Sequence, residues 1–143
     1  MPEIPEFRLT EFLPYLLNRA AEESSVEFAK IYRDRYGLLR TEWRVLFHLG
    51  EFGEMTATEI GQRSKIHKTK ISRAVAALQK RRLLARVRNE QDRRSERLNL
   101  TASGKKMFFE LAAAAKNYNA ELLAGIPDAE KEVLMRCLQR LID

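Results

Sequence analysis

The chain has 143 residues, and its 26 lysines and arginines outnumber its 20 aspartates and glutamates, which gives a formal net charge of +6. Its single cysteine cannot form an internal disulfide, which argues against a disulfide-built secreted scaffold and for a reducing compartment. No apolar run exceeds five residues, against the ~20 that span a bilayer, and six glutamates in the first thirty residues argue against a signal peptide. We therefore expect one globular cytoplasmic domain that does not contact a membrane.

Apolar periodicity in the first third of the chain predicts two helices. Apolar or small residues recur at steps of three and four over 10–36, which is typical of one face of a long helix. Gly37 marks its expected end, because glycine readily takes the left-handed conformation that closes many helices. A second helix is expected from Thr41, acting as its cap, to about Gly50, with a loop over 51–54.

Two further helices are predicted close together in the middle of the chain. Thr56 and Glu59 have the spacing of a capping box, in which each side chain bonds the other residue's backbone N–H at a helix start. The short helix that follows is expected to end near Ser64, and a longer one is expected over about 67–82. The inward residues of this longer helix are expected to be Ile71, Val75 and Leu78.

The period changes to two in the next segment. Residues 84–88 and 97–101 alternate as strands with one solvated face do, and the polar segment 89–96 between them predicts a hairpin. Thr101 is expected to cap a long helix, and Pro127 to open the last one. Two short helices, a tight turn and a basic hairpin predict a winged helix-turn-helix, a mainly α fold with a small β-hairpin wing.

The positive charge is concentrated in the predicted winged segment. Residues 56–106 hold 15 basic and 4 acidic side chains, a net charge of +11, while the rest of the chain carries −5. Such asymmetry is typical of a surface that binds a polyanion, although a solvated basic surface would have the same composition. The outer face of the helix at 67–82 has the dimensions that enter a DNA major groove.

Side chains suited to DNA contact cluster on this predicted recognition helix and in the hairpin. Lysines can neutralise phosphates, whereas arginine, serine and threonine can reach base edges. The candidate DNA-binding residues are Lys65, His67, Lys68, Thr69, Lys70, Ser72, Arg73, Arg93 and Arg94. His67 could instead only cap the helix, and Arg93 could pair with Asp92. Asp92 is interpreted as a brace that orients a neighbouring arginine of the wing rather than as a DNA contact.

Residues 56–104 resemble the MarR (multiple antibiotic resistance) family of bacterial regulators. The resemblance is carried by the recognition-helix segment 67–75, by the wing segment 92–95 and by the strand-to-helix junction 98–104. The wing with its Leu-Thr-x-x-Gly ending is quite specific, whereas a helix-turn-helix alone is not. Lys65 stands where the turn of many helix-turn-helix proteins has glycine. The long flanking helices also fit, so the resemblance covers nearly the whole chain.

The resemblance implies a homodimer that binds double-stranded DNA at a pseudo-palindromic operator. It makes 1–143 a single MarR-type domain, in which 1–36 and 105–143 are dimerisation helices, 41–104 is the winged helix-turn-helix lobe and 84–101 is the wing. The sequence agrees, because apolar residues precede the first helix and line the last one: Ile4, Phe7, Leu9, Val133, Leu134, Leu138 and Leu141. Twofold symmetry would place the two recognition helices ~34–36 Å apart.

Other chemistry-bearing residues allow two readings each. Four aromatic residues could line an effector pocket between the dimer base and the lobes, or could simply pack in the core: Tyr15, Tyr32, Trp43 and Phe47. Cys137 lies on the apolar stripe of the last helix, which predicts buried packing rather than redox sensing. His48 is expected to be partly buried and satisfied. With two histidines and one cysteine far apart, we expect neither a metal site nor another cofactor.

These observations favour a transcriptional regulator that reads a DNA sequence. The resemblance implies a repressor that is released by a small effector, often phenolic or aromatic. The alternative is an architectural or nonspecific nucleic-acid-binding protein without an effector, which would share the basic centre but would not distinguish sequences. No glycine-rich phosphate loop, nucleophile–base pair or metal cluster in the sequence indicates an enzyme.

Overall fold

Six helices and three short strands make up the described part of the chain, which is residues 6–88, 91 and 96–143 of a computed structural model. The helices are α1 (Leu13–Lys30), α2 (Arg40–Phe52), α3 (Ala57–Ser64), α4 (Lys68–Lys80), α5 (Ala102–Leu123) and α6 (Asp128–Ile142). The strands are β1 (Met55–Thr56), β2 (Leu84–Arg88) and β3 (Glu96–Leu100), and a 3-10 turn at Leu9–Glu11 precedes α1. The predicted fold class, mainly helical with a small β-hairpin, is confirmed.

The predicted helix over 10–36 is present but is not uniform. A π-helical turn at Ile31–Arg35 directly continues α1. Beyond this turn the Leu38 N–H donates to the Tyr32 carbonyl oxygen at 3.0 Å, and Gly37 takes a φ of +64° as the chain leaves the helix. A 3.6-residue pattern does not predict a π-helical turn, because the wider turn accommodates an additional residue.

The prediction for the second helix is wrong at both ends. Leu39, rather than Thr41, is the N-cap of α2, and the Glu42 carboxylate accepts a hydrogen bond from the Leu39 N–H at 3.3 Å. A carboxylate in the first turn of the helix thus satisfies the N–H of the residue before it, and α2 begins two residues earlier than a cap at Thr41 would allow. At the other end α2 continues to Phe52, inside the expected loop, and Gly53 ends it with a φ of +80°.

The sheet is antiparallel throughout, in the order β1–β3–β2. β2 and β3 pair from Leu84 opposite Leu100 to Arg88 opposite Glu96, which confirms the predicted hairpin strands. β1 pairs with the other edge of β3 and was not predicted, because a strand of two residues shows no periodicity. The predicted residues Ile4, Asp92, Arg93 and Arg94 lie outside the described residues.

The core lies between α2, α4, the sheet and the first half of α5. Its most completely buried side chains are Leu38, Val45, Leu46, Ile60, Ile71, Val75, Leu78, Leu84, Leu98 and Leu111. This core fixes α4 against α2, α3 and β2 and so sets the position of the predicted recognition helix. Among the described residues, no helix combines the length and apolar character needed to span a membrane.

The last helix presents its apolar residues to solvent within the single chain. None of the residues of α6, all of which are described, is buried, and Val133 and Leu141 are about half exposed, at 49% and 55%. Cys137 is exposed, so the prediction of buried packing for it is wrong for the isolated chain. The reason is that the apolar face of α6 finds no core of its own chain to pack against.

Candidate nucleic-acid interface

Helix α4 has one buried and one exposed face. Ile71, Ala74, Val75 and Leu78 are buried in the core. The side chains on the opposite side are exposed, and we call this set the recognition face: Lys68, Thr69, Lys70, Ser72 and Arg73. The structure thus brings the five predicted residues of this helix together on one accessible surface, while Lys65 and His67 lie just before it and are also exposed.

The start of α4 is capped by a histidine. The Thr69 N–H donates to Nδ1 of His67 at 3.2 Å, and His67 has the extended backbone of an N-cap residue. Of the two roles predicted for His67, capping is therefore confirmed, and phosphate contact stays a prediction. Because α4 begins here, its first N–H groups and the positive end of its dipole point toward the same exposed end, which favours an anion.

The turn before α4 has the conformation expected of a glycine, although it contains lysine. Lys65 takes a φ of +58° and a ψ of +31°, in the left-handed region. The preceding carbonyl, that of Ser64, accepts a hydrogen bond from Nη2 of Arg44 at 3.1 Å, which ties the end of α3 to α2. Burial lowers the pKa of the Arg44 guanidinium, and the positive charge of Arg40 lowers it further.

The charges of the recognition face, and that of Lys65 just before it, are not neutralised by the part of the protein that the structure describes. There, Lys65, Lys68, Lys70 and Arg73 take part in no ion pair and no hydrogen bond through their side chains. Side chains of this kind are left to solvent unless a polyanion supplies the counter-charge, and DNA phosphates supply it with release of condensed counterions. The free charges on this exposed helix face therefore suit contact with DNA phosphates.

Other basic residues of the winged segment have structural partners, which charge counting did not predict. The Arg86 guanidinium lies 2.9 Å from a Glu96 carboxylate oxygen and also donates from Nε to Oε1 of Gln79 at 2.8 Å. Arg88 lies 3.7 Å from the same glutamate. The net positive charge of this segment therefore overstates the charge available to a ligand.

The junction between β3 and α5 is held by a helix cap and by close backbone packing. The Thr101 hydroxyl donates to the Arg82 carbonyl oxygen at 2.7 Å and accepts from the Gly104 N–H at 3.1 Å, which confirms Thr101 as the cap of α5. The Leu83 backbone passes directly over Gly104, because a Cβ at this position would lie 2.9 Å from the Leu83 carbonyl carbon and closer still to its oxygen. The glycine of the Leu-Thr-x-x-Gly junction is thus required by packing.

Three of the four predicted effector-pocket residues lie together. Trp43 contacts the rings of Tyr32 and Phe47, with centroids 5.7 and 5.3 Å apart, and Phe28 packs against both Trp43 and Tyr118. We call these five residues the aromatic cluster. The indole Nε1 of Trp43 is buried and has no hydrogen-bond partner among the described residues. Phe28 and Tyr118 were not among the predicted pocket residues, although Phe28 lies on the predicted apolar face of the first helix.

The remaining predicted residue of this group lies elsewhere. Tyr15 is half-buried on α1 and lies beside Arg19, whose guanidinium pKa is raised by a hydrogen bond to the Tyr15 side chain. Tyr15 makes no ring contact with the aromatic cluster within the described ranges, so the structure does not place it there. A groove of about 450 Å³ adjoins the cluster at Tyr118 and is lined by Ile31, Asp34 and Glu121 among others.

The histidine and acidic residues do not form a metal centre in the part of the chain that is described. No group of three or more His, Cys, Asp and Glu side chains there is placed to hold a metal ion. His48 is half-buried, and its Nδ1 donates to the Arg44 carbonyl oxygen at 2.6 Å, so the expectation of a satisfied histidine is confirmed.

Comparison with known proteins identifies the family. The sequence model of the MarR family matches residues 36–95. A crystal structure of a probable transcriptional regulator from Pseudomonas aeruginosa is 30% identical, with a TM-score of 0.81 over 94% of this chain and 99% of that one. A MarR family transcriptional regulator from Silicibacter pomeroyi is 28% identical, with a TM-score of 0.83 over 96% of this chain and all of that one.

A more distant structure shares the fold. BpsR of Bordetella bronchiseptica, whose DNA binding is regulated by 6-hydroxynicotinic acid, is 23% identical, with a TM-score of 0.86 over 96% of this chain and 97% of that one. These matches are to regulators rather than to enzymes, in agreement with the prediction from the sequence. The exposed recognition face, the winged fold and these similarities together show that the chain belongs to the MarR family of DNA-binding transcriptional regulators.

Proposed function

We propose that the protein is a homodimeric, sequence-specific regulator that inserts α4 into the DNA major groove. The observation that carries the proposal is the recognition face, where cationic and hydroxyl side chains are exposed together without internal partners in the described structure. Lys65, Lys68 and Lys70 contact phosphates, while Thr69, Ser72 and Arg73 reach base edges. His67 offers a further phosphate contact at the start of the helix. The wing residues Arg93 and Arg94, oriented by Asp92, enter the adjacent minor groove.

Selection of bound sequences from random double-stranded DNA tests this proposal. A dimer with two α4 helices about one DNA turn apart is expected to enrich an inverted repeat whose half-sites are centred ~10 bp apart. Enrichment of no common sequence would instead support the architectural alternative. A single half-site without a repeat would leave α4 as the reader but would contradict the dimeric arrangement.

The proposed dimer interface consists of the first and last helices, within 1–36 and 105–143 of one continuous domain. Apolar side chains are exposed on both: Phe12, Leu13 and Leu16 on the first, and Val133, Leu134, Met135, Leu141 and Ile142 on the last. Exposed apolar side chains in such numbers on a helix surface are typical of a protein–protein interface. It also explains why Cys137, on the same helix, is exposed in the single chain.

Sedimentation equilibrium tests the dimer directly. Leu134→Glu places a charge in the proposed interface, so the variant is expected to sediment as a monomer at concentrations where the wild type is a dimer. Glu132→Gln, on the exposed surface of the same helix, is the matched control and is expected to stay dimeric. A wild type that sediments as a monomer would contradict this part of the proposal.

We further propose that the protein is a repressor released by a small aromatic acid or phenol bound at the aromatic cluster. The buried, unpartnered Nε1–H of Trp43 supports this site, because an acceptor oxygen of a ligand would satisfy it. The regulation of BpsR by an aromatic acid on the same fold is consistent with the ligand class. A ligand need only favour a spacing of the two lobes that misfits the operator.

Trp43 is the only tryptophan in the chain, so its fluorescence reports on this cluster alone. Titration with 6-hydroxynicotinic acid and with salicylate as probes is expected to change the emission of the wild type in a saturable way. The same compounds are expected to lower affinity for the selected DNA. A change in emission without any effect on DNA binding would contradict the regulatory role of the cluster.

A further inference from the structure

A single side chain joins the end of the recognition helix to the end of the first long helix. Arg81, directly after α4, donates from Nη2 to the Tyr36 carbonyl oxygen at 2.8 Å and from Nη1 to the Gly37 carbonyl oxygen at 3.2 Å. Among the described residues, these are the hydrogen bonds that link the two segments. A planar guanidinium that bonds two successive carbonyls fixes direction as well as distance.

The two carbonyls are at a place where a cation is favoured. They follow the π-helical turn Ile31–Arg35, at the end of a long helix whose last carbonyls carry the negative end of the dipole. Gly37 presents its carbonyl with a φ of +64°, and a Cβ there would still lie 3.8 Å from Nη1 of Arg81. The guanidinium of Arg81 therefore acts as a C-terminal cap for the first helix.

The same turn belongs to the aromatic cluster. Tyr32 lies in the π-helical turn, is 4% exposed and contacts Trp43, and its carbonyl accepts the Leu38 N–H. Leu38 is fully buried in the core beside the carbonyls that Arg81 holds. Arg81 thus joins the end of α4 to the segment that carries Tyr32, and this segment directly continues α1.

We propose that Arg81 is a positioning residue that sets the angle of the winged lobe, in which the core holds α4, relative to the first long helix. The inference rests on the proposed function, because in the dimer this angle determines the separation of the two recognition faces. Arg81 is then a basic residue of the winged segment that serves spacing rather than phosphate contact, since both of its terminal nitrogens are engaged by backbone carbonyls. Without the two Arg81 hydrogen bonds, each winged lobe can rotate relative to the first long helix. The dimer then tolerates operators whose half-sites are differently spaced.

Operators with altered spacing test this role. Inserting or deleting one base pair at the centre of the selected inverted repeat shifts one half-site by ~3.4 Å and turns it by ~34–36°. Wild-type protein is expected to lose at least tenfold in affinity for either altered site. Arg81→Met is expected to lose less than threefold relative to its own affinity for the unaltered site, and Arg81→Lys, which can hold one carbonyl, is expected to lie between.

Lys80→Met is the matched control, because it removes the same charge from the neighbouring exposed position. It is expected to retain the spacing preference of the wild type while losing a similar amount of nonspecific affinity. If Arg81→Met discriminates spacings as sharply as Lys80→Met, the inference is wrong. If the wild type selects no operator at all, the proposed function fails, and the inference is then decided by the distance between the two α4 helices.

A measurement without DNA separates these two failures. Spin labels at position 76, introduced as Ala76→Cys in a Cys137→Ser background, report the distance between the two α4 helices of a dimer by double electron–electron resonance. Arg81→Met is expected to broaden this distance distribution relative to Lys80→Met. An unchanged width would overturn the inference. Since Arg81→Met can also lower stability, Arg81→Lys supplies the same comparison in a variant with one bond retained.

Discussion

The junction between the wing and α5 depends on a glycine that even alanine cannot replace without a shift of the neighbouring backbone. A Cβ on Gly104 would lie 2.9 Å from the Leu83 carbonyl carbon and 3.3 Å from Cδ2 of Leu100. It would lie closer still to the Leu83 carbonyl oxygen. Since heavy atoms in favourable contact are ~3.5–4.0 Å apart, Gly104→Ala must move the Leu83 backbone by roughly 1 Å or more. That backbone is constrained, because its carbonyl oxygen accepts the Thr101 N–H at 3.0 Å.

The expected cost is the sum of two destabilising contributions and one that opposes them. Overpacking in a constrained site costs ~1–3 kcal/mol, and weakening the bond from Thr101 adds ~1 kcal/mol. Alanine in place of glycine within a helix returns ~1 kcal/mol. The variant Gly104→Ala is therefore expected to lose roughly 2 kcal/mol of free energy of unfolding, which for a chain of this size is roughly a 6–8 °C lower Tm.

Thermal unfolding followed by circular dichroism measures this loss, with all variants at one protein concentration because dimer stability depends on it. Gly125→Ala is the matched control, since nothing lies within 4 Å of a Cβ at that position, and its Tm is expected to stay within ~2 °C of the wild type. A Tm of Gly104→Ala equal to or above that of Gly125→Ala would refute the packing argument.

Three further changes test other parts of the account. Arg73→Ala is expected to weaken binding to the selected operator by about 1–3 kcal/mol and to relax base preference at one position per half-site. Lys116→Ala, at an exposed position of α5, is the charge-matched control. Unchanged base preference in Arg73→Ala would show that Arg73 does not read bases directly. Lys65→Gly is expected to raise the free energy of unfolding by roughly 0.5–1 kcal/mol, because glycine adopts the left-handed conformation without strain. It is also expected to reduce the salt slope of DNA binding by about one, because one phosphate contact is lost. A lower free energy of unfolding would contradict the strain argument. The Cys137 thiol is expected to react slowly with a maleimide in the wild-type dimer and quickly in Leu134→Glu, and equal rates would argue that α6 is not covered.

Much of the fold could be predicted because local signals and tertiary packing agree. Thr56 with Glu59, and Thr101 with Gly104, form the caps that their spacing predicts, and β2 and β3 pair as the predicted hairpin. The expected alternation of burial holds for β3 but not for β2, which is exposed beyond Leu84. The failures occur where tertiary contacts override a local rule. At the start of α2, Leu39 rather than Thr41 is the N-cap, and Glu42 satisfies the Leu39 N–H. The π-helical turn at Ile31–Arg35 departs from the period on which the prediction rests.

The candidate site was predictable as a set of residue types but not as a set of free charges. The recognition face follows from helical periodicity, since Ile71 and Leu78 fix the buried side. The partners of Arg81 and Arg86 do not follow, because they depend on backbone carbonyls and a glutamate brought in from distant parts of the chain. Likewise, the exposure of Cys137 reflects the absence of a core for α6 within one chain, which its apolar stripe alone does not reveal.

The net charge of +6 is thus an average over surfaces with different tasks. In the sequence, an acidic excess flanks a winged segment in which some cations brace the fold and those of the recognition face are free in the described structure. Like-charge repulsion between these flanking segments and phosphates would help to orient the protein on DNA.

The central claim is that α4 reads a base sequence rather than merely binding phosphates. The ratio of dissociation constants for the selected inverted repeat and for a scrambled duplex of the same composition, measured by fluorescence anisotropy at about 150 mM salt, tests it most directly. Sequence-specific recognition predicts a ratio of roughly 10³ or more in favour of the repeat. A ratio near one would contradict the account and would leave the protein a nonspecific binder of DNA.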